Sequence, residues 1–128
     1  MAEQHVKVLI IGSGPAGLAS AANLARIGYH VTIFEKQDEP GGMMRYGIPE
    51  YRLPKAILDR DIKRILDLGG IEVKTGVKFG RDFDLGSLVG GGFDAVLFSI
   101  GAWKHASARI PEEDTVDGVA PATLFLRS

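Results

Sequence analysis

The chain has 128 residues, and its 15 Lys and Arg against 16 Asp and Glu exclude the basic surface that general nucleic-acid binding requires. Its composition, 45% hydrophobic and 24% charged, predicts a single folded domain over residues 1–128, with 17 glycines as an unusual excess. The absence of cysteine excludes thiol catalysis and Cys-ligated zinc or iron–sulfur clusters within this chain.

The first 35 residues predict a βαβ unit. Residues 6–11 form a β-branched run typical of a buried strand, and the glycine-rich segment 12–17 ends it. Residues 15–27 are rich in Ala and Leu and are followed by Gly28, which predicts a helix with a C-terminal glycine. Residues 30–35 form a second strand. Two strands joined by a helix at this spacing should be parallel, with a right-handed crossover.

The rest of the chain predicts shorter elements. The segment 37–54 is interrupted by glycines and prolines, so we expect a loop with one short helical turn. Residues 55–68 form the clearest amphipathic helix, with apolar residues on one side and charges on the other. Further predictions are a strand at 71–75, a helix at 84–89, a buried strand at 95–100, an irregular tail at 103–117 and a helix at 122–127. This order predicts the α/β class, with a mainly parallel sheet.

A dinucleotide-binding fingerprint follows the first strand. Gly12, Gly14 and Gly17 match G-x-G-x-x-G, in which the glycines allow a tight turn, a close approach to pyrophosphate and close helix packing. Glu35 ends the second strand 18 residues after Gly17, where an acid accepts a ribose 2′-hydroxyl. Its charge would repel the 2′-phosphate of NADP. The fingerprint therefore predicts NAD or FAD.

A second motif distinguishes between NAD and FAD, because it resembles the signature of a known family. Residues 41–49 and 51–55, read with the intervening Glu50 as GGMMRYGIPEYRLPK, resemble a signature of the small (beta) subunit of glutamate synthase. The same flavoprotein module is found in dihydropyrimidine dehydrogenase, and the similarity extends from Val6 over essentially the whole chain. The resemblance implies a Rossmann-like domain in which the first fingerprint binds FAD. It also implies that NAD(P)H reduces the flavin, so that the parent protein is an oxidoreductase.

The resemblance also assigns residues to the cofactor. The fingerprint would contact the pyrophosphate and Glu35 the adenosine ribose, while the backbone of Val77 would face the adenine. Gly42 and Arg45 would line the pyrophosphate and flavin side. No catalytic or metal-binding residue is assigned. The complete predicted cofactor-binding set is Gly12, Gly14, Pro15, Ala16, Gly17, Glu35, Lys36, Gly42, Arg45, Val77 and Gly101.

Members of this family also have cysteine-bound iron–sulfur clusters and a second fingerprint for NAD(P)H, and the present sequence has neither. We therefore expect part of an incomplete flavoprotein with two dinucleotide sites, in which the tail 103–128 leads to an NAD(P)H-binding domain. Its expected partners are the NAD(P)H-binding and iron–sulfur domains or subunits. The isolated chain should have little catalytic activity, bind FAD weakly and be prone to self-association. The polar residues 1–5 lack a signal-peptide core, which predicts a cytoplasmic protein.

Two other functions fit the residues. One is an NAD-binding dehydrogenase domain with a single fingerprint, in which Glu35 would bind the NAD ribose. The other is a non-catalytic flavin- or nucleotide-binding module with a docking role. Trp103 also has two interpretations, as a cover for the flavin edge or as an exposed or interface residue. Ser13 and Ser99 lack His–acid partners in the sequence, which argues against hydrolase chemistry.

Overall fold

A computed structural model describes residues 5–128. Residues 1–4, which carry most of the polar N-terminus behind the cytoplasmic prediction, lie outside that range. The order of elements begins with the predicted βαβ unit and continues through short helices and strands. Their bounds are β1 Lys7–Ile11, α1 Pro15–Arg26, β2 His30–Phe34, α2 Met43–Tyr46, α3 Lys55–Leu66, β3 Ile71–Lys74, α4 Leu85–Val89, β4 Ala95–Phe98 and α5 Ala122–Phe125.

The four strands form one parallel sheet in the order β3-β2-β1-β4. In the register, Leu9 of β1 lies opposite Thr32 of β2 on one side and Val96 of β4 on the other. The α/β class and the parallel pairing of the first two strands are thus confirmed. From β1 the chain adds β2 and β3 on one side and then returns to add β4 on the other side, so the order of strands changes direction at β1.

Both faces of β1 are covered, as its continuous apolar sequence predicts. Val8 and Ile10 pack on one face, where α1 and α3 contribute Leu18, Leu58 and Ile62 among others. Leu9 and Ile11 pack on the opposite face against Leu88 of α4 and four phenylalanines, Phe34, Phe79, Phe83 and Phe93. The sheet therefore has a helical layer on one side and a smaller, aromatic layer on the other.

The helix ends differ from the predictions for local reasons. The helix predicted at 55–68 ends at Leu66, and Gly69 and Gly70 follow with φ values of +82° and +73° that stop the chain from continuing as a helix. Asp84, predicted as the first residue of a helix, is instead its N-cap. Its side chain accepts a hydrogen bond of 2.8 Å from the backbone N–H of Ser87.

The structure has a strand in the segment 95–100, as predicted, but the prediction that this strand is buried is wrong. The strand ends at Phe98, and all four of its residues are exposed, since among residues 5–128 β4 is an edge strand that pairs with β1 alone. No helix formed by residues 5–128 combines the length and the apolar character that crossing a membrane would require.

Candidate functional site

A cavity of about 530 Å³ opens at the carboxyl ends of β1, β2 and β4. At this place the order of strands changes direction, between β1 and β4, and in open α/β sheets ligands bind at such a switch point. Five segments contribute to the walls. The lining residues are Ile11, Gly12, Ser13, Gly14, Pro15, Ala16, Phe34, Glu35, Lys36, Gly42, Met43, Val77, Lys78, Phe79, Ser99, Ile100, Gly101 and Trp103.

The glycines of the fingerprint have different environments. A Cβ on Gly12 would collide with the carbonyl oxygen of Ser99, and one on Gly17 would collide with the carbonyl oxygen of Gly12. Apart from Gly14 itself and its chain neighbours, none of the described residues has an atom within 4 Å of the position that a Gly14 Cβ would take. Gly12 and Gly17 are therefore required for packing, whereas Gly14 leaves open space beside the start of α1. That space and the helix N-terminus suit a pyrophosphate group.

Glu35 is 3% exposed, and three protein donors hold its carboxylate. Its Oε2 accepts hydrogen bonds from the backbone N–H of Ser13 at 2.9 Å and from the Ser13 hydroxyl. Its Oε1 accepts one from the backbone N–H of Gln37 at 3.0 Å. An ionised carboxylate has about four acceptor positions, so acceptor capacity remains for a hydroxyl in the cavity.

The loop at Gly41 and Gly42 lies directly on the fingerprint turn. The backbone N–H of Gly41 donates to the carbonyl oxygen of Ser13 at 3.0 Å and to its hydroxyl at 3.3 Å. Gly42 has a φ of +57°, and a Cβ there would come within 2.7 Å of the Cα of Gly14. The missing side chain therefore allows this loop to close one wall of the cavity.

Arg45 lies outside the cavity lining, although the sequence places it among the predicted cofactor contacts. Its side chain is 8% exposed and donates to the carbonyl oxygen of Pro40 at 2.7 Å. It also pairs with Asp59 of α3 and, at 3.5 Å, with Glu39. In this structure Arg45 joins α2 and the preceding loop to α3.

Trp103 lies on the cavity wall beside a cluster of cations. The Lys36 ammonium lies 4.2 Å from the centre of the Trp103 ring, and the Arg127 guanidinium lies 5.5 Å from it. Burial lowers the pKa of Lys36, and the positive charges of Lys78 and Arg127 add to this effect, which Glu35 opposes. The structure places Trp103 on the cavity wall with Lys36 against its ring, and a role as a cover for the flavin edge stays a prediction.

Nine of the eleven predicted residues line this one cavity. The exceptions are Arg45 and Gly17, which is buried below the turn. The predicted set omits Ser13, whose bond to Glu35 joins residues 22 positions apart, and also Lys78 and Phe79. The signal that could have identified Ser13 as a site residue is its position inside the fingerprint. The sequence around Lys78 and Phe79 contains no comparable motif.

Comparison with a protein-family model gives a match to an NAD(P)-binding Rossmann-like domain over residues 10–62. That segment contains the fingerprint, β2, the Gly41–Gly42 loop and the first two thirds of α3. The match agrees with the observed Rossmann-like fold.

Two curated relatives share 45% and 42% of the aligned residues with this chain. The chain is 45% identical over 95 residues to the NAD-dependent dihydropyrimidine dehydrogenase subunit PreT of Salmonella typhimurium, covering 74% of this chain and 22% of the relative. It is 42% identical over 119 residues to the glutamate synthase [NADPH] small chain of Mycobacterium tuberculosis, covering 93% and 24%. The chain thus spans about a quarter of the length of these relatives. Their names describe a subunit and a small chain, that is, parts of larger enzymes.

Solved structures show the same fold. FprA, an oxidoreductase of Mycobacterium tuberculosis, matches with a TM-score of 0.85 and 24% identity over 96% of this chain and 28% of that one. A 2-naphthoyl-CoA reductase matches with a TM-score of 0.73 and 30% identity over 89% of this chain and 17% of the other. FprA has also been determined in complex with NADPH.

Proposed function

Because the chain is a Rossmann-like unit homologous to the glutamate synthase small chain and to the PreT subunit, we propose that it binds FAD. It would form the FAD-binding part of an oxidoreductase that takes hydride from NAD(P)H. The cofactor supplies the redox chemistry when it is bound, and the residues of this chain bind and orient it. No side chain in the cavity is assigned a proton-transfer role.

The observation that supports this proposal most strongly is the placement of Gly14 and Glu35 in one cavity at the switch point of the sheet. Gly14 provides the open space for the pyrophosphate at the start of α1. Glu35 provides an acceptor for the adenosine ribose, since its carboxylate is held in place by Ser13 and Gln37. The residues present therefore fit an adenine dinucleotide.

We assign the remaining contacts from the cavity walls. Gly12, Pro15 and Ala16 would complete the pyrophosphate cradle, with Gly17 supporting it from below. Lys36 and the backbone of Val77 would lie at the adenosine end, and Gly42 and Gly101 would approach the pyrophosphate and flavin. Arg45 would contribute by holding the Gly42 loop, because its donors are directed to Pro40, Glu39 and Asp59.

The proposed partners are the parts of the parent enzyme that this chain does not contain. An NAD(P)H-binding domain would deliver hydride, and iron–sulfur domains or subunits would carry the electrons onward. The names of the relatives support the existence of further subunits, because they include the beta subunit of an NADP(+)-dependent formate dehydrogenase from Moorella thermoacetica as well as the small chain. We also propose a cytoplasmic location and self-association of the isolated chain.

The proposal is tested by a visible spectrum of the purified chain, by chromatography of the cofactor released on heating, and by titration with FAD. Trp103 is the only tryptophan and lies on the cavity wall, so its fluorescence reports binding. We expect FAD to quench it at lower concentration than NAD does. Absence of FAD binding by the native chain would refute the proposal.

A substitution at Gly14 gives a second test of FAD binding. Gly14→Ala places a methyl group in the open space of the turn without a protein clash, so the melting temperature should remain close to that of the native chain. Affinity for FAD should fall at least tenfold because the pyrophosphate loses its close approach. Gly90→Ala, which also meets no neighbouring atom and lies outside the cavity, is the matched control and should bind FAD normally.

An NAD-binding domain is the second candidate, because the matched family model is described as NAD(P)-binding. In that case the purified chain would be colourless and NAD would quench Trp103 at lower concentration than FAD. The Glu35 carboxylate would bind the NAD ribose in the same way and would disfavour NADP. The titration with both cofactors therefore distinguishes the two candidates.

A further inference from the structure

Ser13 is a fully buried serine in the fingerprint turn, and the motif itself gives it no role. The three glycines account for the turn, the close approach and the packing, whereas the position of Ser13 accepts varied residues in the pattern. In this structure Ser13 nevertheless lines the cavity and contacts Glu35 at the end of the neighbouring strand.

The two hydrogen-bond donors of Ser13 converge on one oxygen of Glu35. The backbone N–H donates to Glu35 Oε2 at 2.9 Å, and the hydroxyl donates to the same oxygen. Two donors from one residue fix the direction of the carboxylate as well as its position. Gln37 holds the other oxygen through its backbone N–H, so the whole group is oriented before any ligand enters.

The hydroxyl also accepts a hydrogen bond from the Gly41 N–H at 3.3 Å, but the conformation of the Gly41–Gly42 loop does not depend on this bond. The same N–H donates to the carbonyl oxygen of Ser13 at 3.0 Å, a bond that a change of side chain leaves intact. Loss of the hydroxyl should therefore disturb the Glu35 carboxylate and spare the loop.

We propose that Ser13 is a positioning residue that orients Glu35 to accept the 2′-hydroxyl of an adenosine ribose. This rests on the proposed function, in which Glu35 faces that ribose. Without the hydroxyl, Glu35 Oε2 keeps only the backbone donor, and the carboxylate gains freedom to turn away from the ribose. Recognition of the 2′-hydroxyl should then weaken, while phosphate binding at the start of α1 is retained.

The test compares ADP with 2′-deoxy-ADP by isothermal titration calorimetry on the full chain. We expect the native chain to prefer ADP about tenfold, as for a hydrogen bond to a charged group. In Ser13→Ala the preference should fall to about threefold or less, with 2′-deoxy-ADP bound as tightly as before. Ser20→Ala removes a serine hydroxyl from α1 outside the cavity and should keep the tenfold preference.

Circular dichroism first establishes that each variant is folded. If Ser13→Ala does not fold, Ser13→Cys keeps a side chain of similar size with a much weaker donor, and the same loss of preference is expected. An unchanged preference in the folded variant, or no preference in the native chain, overturns the inference. Failure of the proposed function is seen separately, as absence of FAD binding, because ADP has no flavin.

Discussion

Two glycines within helices, Gly17 and Gly86, have surroundings that predict opposite effects of substitution by alanine. Gly17 lies in α1 at the place where this helix crosses the end of β1, and a Cβ there would also lie 2.8 Å from the Ser99 hydroxyl. Gly86 lies in α4, and its nearest neighbour, an oxygen of Asp84, would be 3.4 Å from a Cβ. The contrast separates the packing requirement from the helix propensity of glycine.

We expect Gly17→Ala to destabilise the fold by about 2–3 kcal/mol, because the methyl group collides with the carbonyl oxygen of Gly12 and the backbone must shift. Gly86→Ala should be neutral or stabilising by up to about 1 kcal/mol, because alanine restricts the unfolded chain. Urea denaturation followed by circular dichroism measures both. Equal stability of the two variants would show that α1 can move away from the turn at little cost.

At the scale of elements, the sequence predicted the βαβ unit well because its signals are local. The apolar run before Gly12, the helix ending before Gly28 and the second strand all follow from short-range patterns, and the structure confirms them. The exposure of β4 was not predictable in this way, since a buried central strand and an apolar edge strand have similar sequences. The difference arises from the order of the whole sheet.

The residues of the candidate site also differ in whether a local motif or a contact between distant segments identifies them. The fingerprint and Glu35 are recognisable because the motif fixes their spacing. The hydrogen bond between Ser13 and Glu35 and the position of Trp103 beside Lys36 depend on contacts between distant segments. Arg45 shows the converse case, because its position in a motif suggested a cofactor contact and its side chain instead reaches Asp59 on α3.

The loop between β3 and α4 brings Val77, Lys78 and Phe79 to the cavity. Asp82 holds this loop together through contacts with other residues of the loop. The carboxylate of Asp82 pairs with Arg81 and accepts a hydrogen bond of 2.7 Å from the backbone N–H of Lys78. The hydrogen bond from Arg81 and then the one from Lys78 lower the pKa of Asp82 below its ordinary 3.8. The charged carboxylate therefore stabilises the closed loop.

Because the pKa of Asp82 is lower in the folded state than in the unfolded state, its stabilising contribution is complete above about pH 4 and is lost as the pH falls through the folded pKa. Carboxyl-carbon NMR should show a titration midpoint for Asp82 below 3.8. Asp82→Asn should remove this part of the acid dependence of unfolding, and the exposed Asp117→Asn is the comparison. A midpoint at or above 3.8 would contradict the assigned contacts.

At the scale of the whole molecule, one edge of the sheet is unusually apolar. Val96, Leu97 and Phe98 of β4 are 36%, 38% and 44% exposed, and within the part of the chain that the structure describes β4 forms its ladder with β1 alone. An apolar edge strand with free backbone donors and acceptors is a template for pairing with another strand. We therefore expect the isolated chain to self-associate through β4, with a sedimentation coefficient that rises with protein concentration.

A charge at the edge should oppose this association, because pairing would bury it. In sedimentation velocity, Leu97→Lys should remain closer to the monomer than the native chain at the same concentration. Val89→Lys changes an apolar residue that is 90% exposed and belongs to α4 rather than to the edge strand, so it should associate as the native chain does. If both lysine variants reduce association equally, general apolar exposure is responsible. If Leu97→Lys alone does so, the contact between copies is made through β4.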